Sequence, residues 1–198
     1  MRRLLCLLGF VFCITARAQD LSVVDSLKRE LPSASPERKF ALLNAMGFEY
    51  RYSFPDSTIF YCLQAYDLGK VLHLPKQLSK PLSFIGLANA NKGDYEQSLD
   101  YHYRSIEVAI EQNDSIQLAY AYNNLGRMFF DQGDQARACD NLVRSKELFE
   151  MLKDRLGLAY VYRSLANVYK SQKEYTKAIE MSTRAVEQIG RASCRERV

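Results

Sequence analysis

Three matching blocks of sequence predict an all-α solenoid of antiparallel helix pairs. The blocks begin at Gln77, Gln117 and Gly157, align without a gap and so recur every forty residues; a fixed period of that size marks an array of stacked supersecondary units. Inside each block apolar residues follow the three-and-four spacing of one helical face. The two helical runs of a block are separated by turn residues, Gly93-Asp94 in the first and Gly133-Asp134 in the second.

The chain opens on a segment that reads as an export signal. Arg2 and Arg3 form a positive head, Leu4 to Ala16 an apolar middle, and Ala16-Arg17-Ala18 a small-x-small cleavage site. The mature chain is expected to start at Gln19. The apolar run is shorter than the ~20 residues needed to cross a hydrocarbon core, and Arg17 follows it directly, so cleavage is favoured over a retained anchor. Lipidation at Cys13 would need a small residue where Phe12 stands. At the other end, IGRASCRERV over 189–198 resembles a translated sequencing-adapter oligonucleotide. Those ten residues are set aside as non-native, with the expectation that the native frame continues beyond Gln188.

Both exclusions change the composition. The chain has 27 basic and 23 acidic residues, a net charge of +4. Arg2, Arg3 and Arg17 leave with the signal, and Arg191, Arg195, Arg197 and Glu196 with the tail, which turns 27 against 23 into 21 against 22. A charge near −1 removes the case for a nucleic-acid or anionic-membrane partner. Cys6, Cys13 and Cys194 go the same way, leaving Cys62 and Cys139 in different repeats. Export permits a bridge, but two cysteines far apart along a solenoid read as small buried hydrophobes.

A short amphipathic helix from Leu21 to Leu31, with a linker to residue 34, is expected to close the N-terminal end of the stack. A degenerate helix pair over 35–75 follows. Ser35-Pro36 supplies a capping serine and a proline suited to the first helical turn. Leu42, Leu43, Gly47, Tyr50, Asp56, Thr58 and Ala65 echo the order of the later repeats with one residue fewer between helices, and Phe54-Pro55-Asp56 supplies the break.

Three fuller units are placed at about 76–114, 115–154 and 155–188. The first helix of the second unit buries Leu118, Tyr122, Leu125 and Phe129. Gly133 takes the left-handed conformation that ends a helix, and Asp134 accepts backbone N–H bonds at the start of the next. Lys173-Glu174 replaces this pair in the third unit, a weaker stop. The second helices bury Leu99, His102, Ile106 and Ala109 in one unit and Ala138, Leu142, Ser145 and Phe149 in the next. Asp114 and Asp154 mark the turns between units.

The residues Tyr122, Leu125, Gly126, Phe129, Gly133 and Ala138 resemble the tetratricopeptide repeat signature, and Tyr162, Leu165, Ala166, Tyr169, Tyr175, Ala178 and Ala185 match it more fully. Gln135 and Leu82 depart from its aromatic preference, and the forty-residue period resembles the extended-linker variety of bacterial signalling proteins. The resemblance covers Leu21 to Gln188. It implies a right-handed superhelix whose first helices line a concave face that binds protein or peptide segments. Carried over, that face holds Tyr120, Asn123, Asn124, Arg127 and Phe130 in the second unit and Tyr160, Arg163, Asn167 and Lys170 in the third. Asparagine amides can pair with a peptide backbone and the three cations with a carboxylate. A merely solvated polar face fits the same residues. The arrangement does not reproduce the clamp of two lysines, two asparagines and one arginine found in chaperone-binding members.

Tyr122, Tyr162 and Tyr169 fall on core positions, whereas Tyr120 and Tyr160 look outward. His73 lies in a linker and His102 on a buried stripe, neither with metal-ligand neighbours. There is no phosphate loop, nucleophile elbow, paired histidines or CxxC, so the sequence predicts no catalysis, no metal and no cofactor. Two roles follow: an exported scaffold that binds a protein or peptide, or the extracytoplasmic sensor region of a membrane histidine kinase or helix-turn-helix regulator whose C-terminal part lies beyond Gln188. Membrane attachment is expected only through such a missing part. The uncapped last helix, with Ile179 and Val186, is expected to fray or self-associate.

Overall fold

A computed structural model of the chain describes residues 23–195, with side chains through Gly190. The signal segment 1–18 lies outside the described residues, as do the first residues of the expected N-terminal helix. That helix, α1, covers 23–30 and runs into a single 3-10 turn, Leu31–Ser33. Four hairpins follow: α2 (Pro36–Tyr50) with α3 (Pro55–Val71), α4 (Ser79–Lys92) with α5 (Tyr95–Glu111), α6 (Ser115–Asp131) with α7 (Gln135–Leu152), and α8 (Arg155–Ser171) with α9 (Tyr175–Arg195). No strand occurs among the described residues. Each first helix packs on its hairpin partner and on the neighbouring first helices, and α4, α6 and α8 pack also on the second helix of the hairpin before them. The result is an all-α solenoid with α2, α4, α6 and α8 along one layer.

The turns set the metre. Backbone φ is positive at His73, Gly93, Asn113, Gly133, Lys153 and Lys173, one residue in every twenty. After each of the last five, the next residue's N–H reaches back to close the helix: Asp94 to the carbonyl of Asn89 (3.0 Å), Asp114 to Ala109 (2.8 Å), Asp134 to Phe129 (2.9 Å), Asp154 to Phe149 (3.0 Å) and Glu174 to Tyr169 (2.9 Å). The four aspartates then cap the following helix, accepting from the N–H groups of Gln97, Gln117, Arg137 and Gly157 at 2.9–3.1 Å. Turns within and between units therefore share one geometry. Lys173 reaches the same left-handed region at φ 63° without glycine, at a cost of roughly 1 kcal/mol.

Two local departures from strict repetition have physical causes. By the forty-residue period α4 should begin near residue 75, yet it begins at Ser79 behind a 3-10 turn, Pro75–Gln77. Pro81 has no N–H to bond one turn back, so the helix can start no earlier than the turn that contains it. In the first hairpin, α2 stops at Tyr50, and residues 51–54 form a longer connection before Pro55 opens α3. At the head of α2, Ser35 Oγ accepts from the Arg38 N–H at 3.3 Å.

The core runs through the stack in two clusters. Val24 of α1, with Leu27 and Leu31, covers Phe40, Leu43, Met46 and Tyr50, so the N-terminal helix closes that end of the solenoid. Leu125, Phe129, Leu142, Phe149, Val161 and Leu165 are fully or almost fully buried in the larger cluster, each contributing about 1.5–3 kcal/mol. Serines tie the layers together: Ser105 Oγ donates to the Ser79 carbonyl (2.9 Å), and Ser145 Oγ to the Ala119 carbonyl (2.8 Å), forty residues on. Cys62 is fully buried and Cys139 half-buried, both free. Burial pushes the Cys62 thiol up to about 12.

Candidate functional site

The first helices place residues 80, 120 and 160 in register, with 83 and 123, 84 and 124, and 87 and 127 on the same face one helical turn further along. Their side chains bound a cleft of about 220 Å³ that crosses four helices. Phe48, Arg51 and Tyr52 come from α2 and its turn, Lys80, Ser83, Phe84 and Leu87 from α4, Gln117, Tyr120, Asn123, Asn124 and Arg127 from α6, and Leu156 and Tyr160 from α8.

The cleft has an aromatic wall, a polar floor and a cationic end. Tyr120 sets its edge on Phe149 (centroids 4.8 Å, 71°) and on Tyr160 (6.4 Å). Burial, then Asp154 and Tyr160, push its phenol up to about 12. Along the floor Asn124 Nδ2 donates to Ser83 Oγ (2.9 Å) and Ser164 Oγ to Asn123 Oδ1 (3.1 Å). These bonds join α4 to α6 and α6 to α8. At the far end Arg127 Nη1 donates to the Tyr52 hydroxyl (3.1 Å), and the Arg51 guanidinium lies 3.4 Å from the Phe48 ring centroid and 4.7 Å from that of Tyr52. Burial would raise the Tyr52 phenol, but the charges and hydrogen bonds of Arg127 and Arg51 outweigh it and hold it below its ordinary value.

Of the nine residues singled out by sequence, Tyr120, Asn123, Asn124, Arg127 and Tyr160 line this cleft. Asn123 is 5% exposed, and its amide oxygen is occupied by Ser164, so it serves the seam between helices as well as the cleft floor. Phe130 and Asn167 line a smaller adjoining cavity of about 100 Å³ with Arg127, Asp131, Leu142 and Ser164, and Phe130 also packs on the core. Arg163 and Lys170 are exposed beyond both, Arg163 leaning over the Tyr160 ring at 5.4 Å. Tyr162 is buried, while Tyr122 and Tyr169 are half-buried against the core.

Sequence reasoning confined to the second and third units missed the half of the cleft made by α2 and α4. The period held the signal for α4, because Lys80, Ser83, Phe84 and Leu87 stand forty residues before Tyr120, Asn123, Asn124 and Arg127. No such signal placed Tyr52, which sits in the irregular connection after α2.

Elsewhere, His102 is fully buried with no hydrogen-bond partner at either ring nitrogen. Burial, helped by the charge of Arg127, pushes its pKa down to about 3. Among the described residues no group of histidine, cysteine and carboxylate side chains could hold a metal ion, and no helix is long and apolar enough to cross a membrane.

No curated protein matches the chain in sequence. Solved structures do match in fold. A Rap protein complexed with Competence and Sporulation Factor superposes with a TM-score of 0.77 at 20% identity, over 89% of this chain and 51% of that one. BtubC from P. vanneervenii gives 0.61 at 18% identity, over 90% and 74%, and aspartyl phosphate phosphatase F from Bacillus subtilis 0.62 at 14%, over 87% and 56%. This chain thus spans about half the length of the Rap protein. At these identities the likeness is one of fold. The tetratricopeptide repeat family model matches residues 77–150 and 118–188, more than half of the chain, and the protein belongs to the tetratricopeptide repeat family.

Proposed function

We propose that the protein is a binding scaffold that takes an extended segment of a partner protein, or a peptide, into the cleft between α2, α4, α6 and α8. The observation that carries this reading is the cleft itself: aromatic rings and unpaired cations gathered from four successive hairpins, over a floor whose polar groups already bond to one another. A fixed floor keeps the cleft preformed, which lowers the ordering cost of binding. The bound factor in the Rap complex supports a ligand for this architecture. Catalysis is no part of the reading, since His102 is fully buried and does not line the cleft, and no acid–base pair lines it. A photo-crosslinking residue at position 120 should capture partner segments, while the same residue at position 103, on the exposed face of α5, should not. Equal capture at both positions would count against the cleft.

We further read residues 1–18 as directing export, so that the scaffold works outside the cytoplasm. A fusion of these residues to a reporter active only after export tests it, and a reporter that stays inactive removes the reading.

One observation favours a sensor region as the second reading. On α5, Tyr95, Leu99 and Ile106 are covered by the next hairpin, whereas their counterparts on α9, Tyr175, Ile179 and Val186, are 60%, 68% and 69% exposed. Such a stripe suits further repeats, with a membrane helix and a kinase or DNA-binding module beyond them. Reading the native gene past Gln188 decides: a stop codon after a polar capping helix leaves the scaffold alone.

A further inference from the structure

The positive charge in the cleft is uncompensated, and that names the chemistry of what it binds. Arg51, Lys80 and Arg127 line the cleft, and no aspartate or glutamate does. Elsewhere several cations are paired, Arg38 with Glu30, Lys92 with Asp56, Arg104 with Asp100, Arg137 with Asp134, Lys146 with Glu150, Lys177 with Glu174 and Arg184 with Glu180, while Arg163 and Lys170 stand without an ion pair on open surface. What sets the cleft apart is three cations in one concave lining without a carboxylate. None of the three cleft cations has an ion-pair partner among the described residues. They rest on rings, Arg51 over Phe48 and Tyr52, Arg127 over Tyr52 at 5.5 Å and Lys80 over Phe84 at 5.9 Å. Arg51 Nη1 also donates to the Phe48 carbonyl and Arg127 Nη1 to the Tyr52 hydroxyl, which leaves the other N–H groups of each guanidinium for a ligand. Asp131, the acidic side chain that senses Arg127, lies in the adjoining cavity, with no ion pair between them.

A guanidinium lying on an aromatic face keeps its outer N–H edge free for a planar acceptor. Two guanidiniums on one ring, Tyr52, form a paired donor end, while Phe84, Leu87, Leu156 and Tyr160 give apolar and aromatic surface along the rest of the cleft. Resting on the reading of the cleft as a peptide site, we infer that its ligand is an acidic peptide segment, in which carboxylates meet Arg51, Lys80 and Arg127 and bulky apolar side chains between them meet the rings. Carboxylates supply the bidentate acceptors that this donor end fits. The Ser83–Asn124 and Asn123–Ser164 bonds leave few free groups on the floor to read bases, so a peptide is favoured over a single-stranded nucleic acid.

The test is a random twelve-residue phage-displayed peptide library panned on the protein, with selected peptides remeasured by fluorescence anisotropy. Enrichment of peptides combining aspartate or glutamate with aromatic or leucine residues is expected. Their affinity should fall with salt and drop about tenfold or more in the triple variant Arg51→Gln, Lys80→Gln, Arg127→Gln, whose helical circular dichroism should be unchanged. Swapping the peptide acids for lysine should abolish binding even if that variant folds poorly. Enriched neutral or basic peptides that still compete within the cleft would overturn the acidic ligand and leave the peptide site standing. Peptides insensitive to every cleft substitution, no enrichment at all, or tighter binding of an oligothymidine or oligouridine probe would overturn both.

Discussion

The imidazole of His102 lies against the bare Cα of Gly86: a Cβ on residue 86 would stand 2.8 Å from ring atoms Cε1 and Nδ1. The contact lets α4 and α5 approach closely, and Leu142 meets Gly126 in the same way one unit on. Gly86→Ala forces the ring or the helix to move and is expected to cost about 1–3 kcal/mol in a urea titration. His102→Ala in the same chain frees the space. The double variant should therefore lose less than the sum of the two single losses.

The same histidine sets an acid limit. Its folded pKa, lowered to about 3 by burial and then by Arg127, lies below the unfolded value near 6.5, so the unfolded chain takes the proton first. Stability from this group is complete above pH ~6.5 and is lost progressively as pH falls toward ~3. At pH 4.5 the loss amounts to roughly 2–3 kcal/mol. His102→Leu, the residue that position 142 already uses, should flatten this limb. Parallel denaturation of both proteins at pH 7.5 and 4.5 measures it, and identical pH slopes would rule it out.

Ser145→Ala removes the hydroxyl bond to the Ala119 carbonyl and should cost about 1 kcal/mol. Position 185, forty residues on, carries alanine and is buried without that bond. Ala185→Ser is the reciprocal experiment, and a gain in melting temperature would show that the missing tie can be restored.

Residues 133 and 173 occupy the same place in the hairpin turns of successive units but should respond to glycine chemistry with opposite signs. Gly133→Ala puts a Cβ at φ 81° and should destabilise by about 1 kcal/mol. Lys173→Gly relieves a side chain held at φ 63° and should stabilise by a few tenths to 1 kcal/mol. Thermal melts of the two variants would shift in opposite directions.

The exposed stripe of α9 predicts concentration-dependent association. Ile179→Lys with Val186→Glu changes two side chains that are mostly in solvent and should alter monomer stability by less than about 0.5 kcal/mol. Sedimentation at increasing protein concentration should show the parent associating and the double variant remaining monomeric. A parent that stays monomeric at every concentration would end the expectation.

The solenoid was legible in the sequence because each helix end is written in residues whose effect is local. Gly93 and Gly133 act through their own backbones, the capping aspartates through carboxylates that accept from N–H groups three residues on, and the stripes of Leu125, Phe129, Leu142 and Phe149 need only helical spacing. What escaped depends on partners far along the chain. That Ser164 occupies the Asn123 amide, and Ser83 that of Asn124, follows from how neighbouring helices seat, with contacts forty-one residues apart where the repeat is forty. Tyr52 escaped because no repeat governs the connection it sits in, and the late start of α4 because one proline overrode the period. Arg163 and Lys170 share residue type with the cleft cations and lie outside the cleft, since side-chain chemistry alone does not say which turn of a helix faces the trough.

A backbone that changes hand at one residue in twenty is built from interchangeable joints. Excising forty residues between two such joints, for example 115–154, would bring the end of α5 directly to the start of α8 with the hand and the capping aspartate of the joint preserved. Arrays of this kind can lengthen or shorten by whole hairpins, altering the reach of the trough while every surviving seam stays intact.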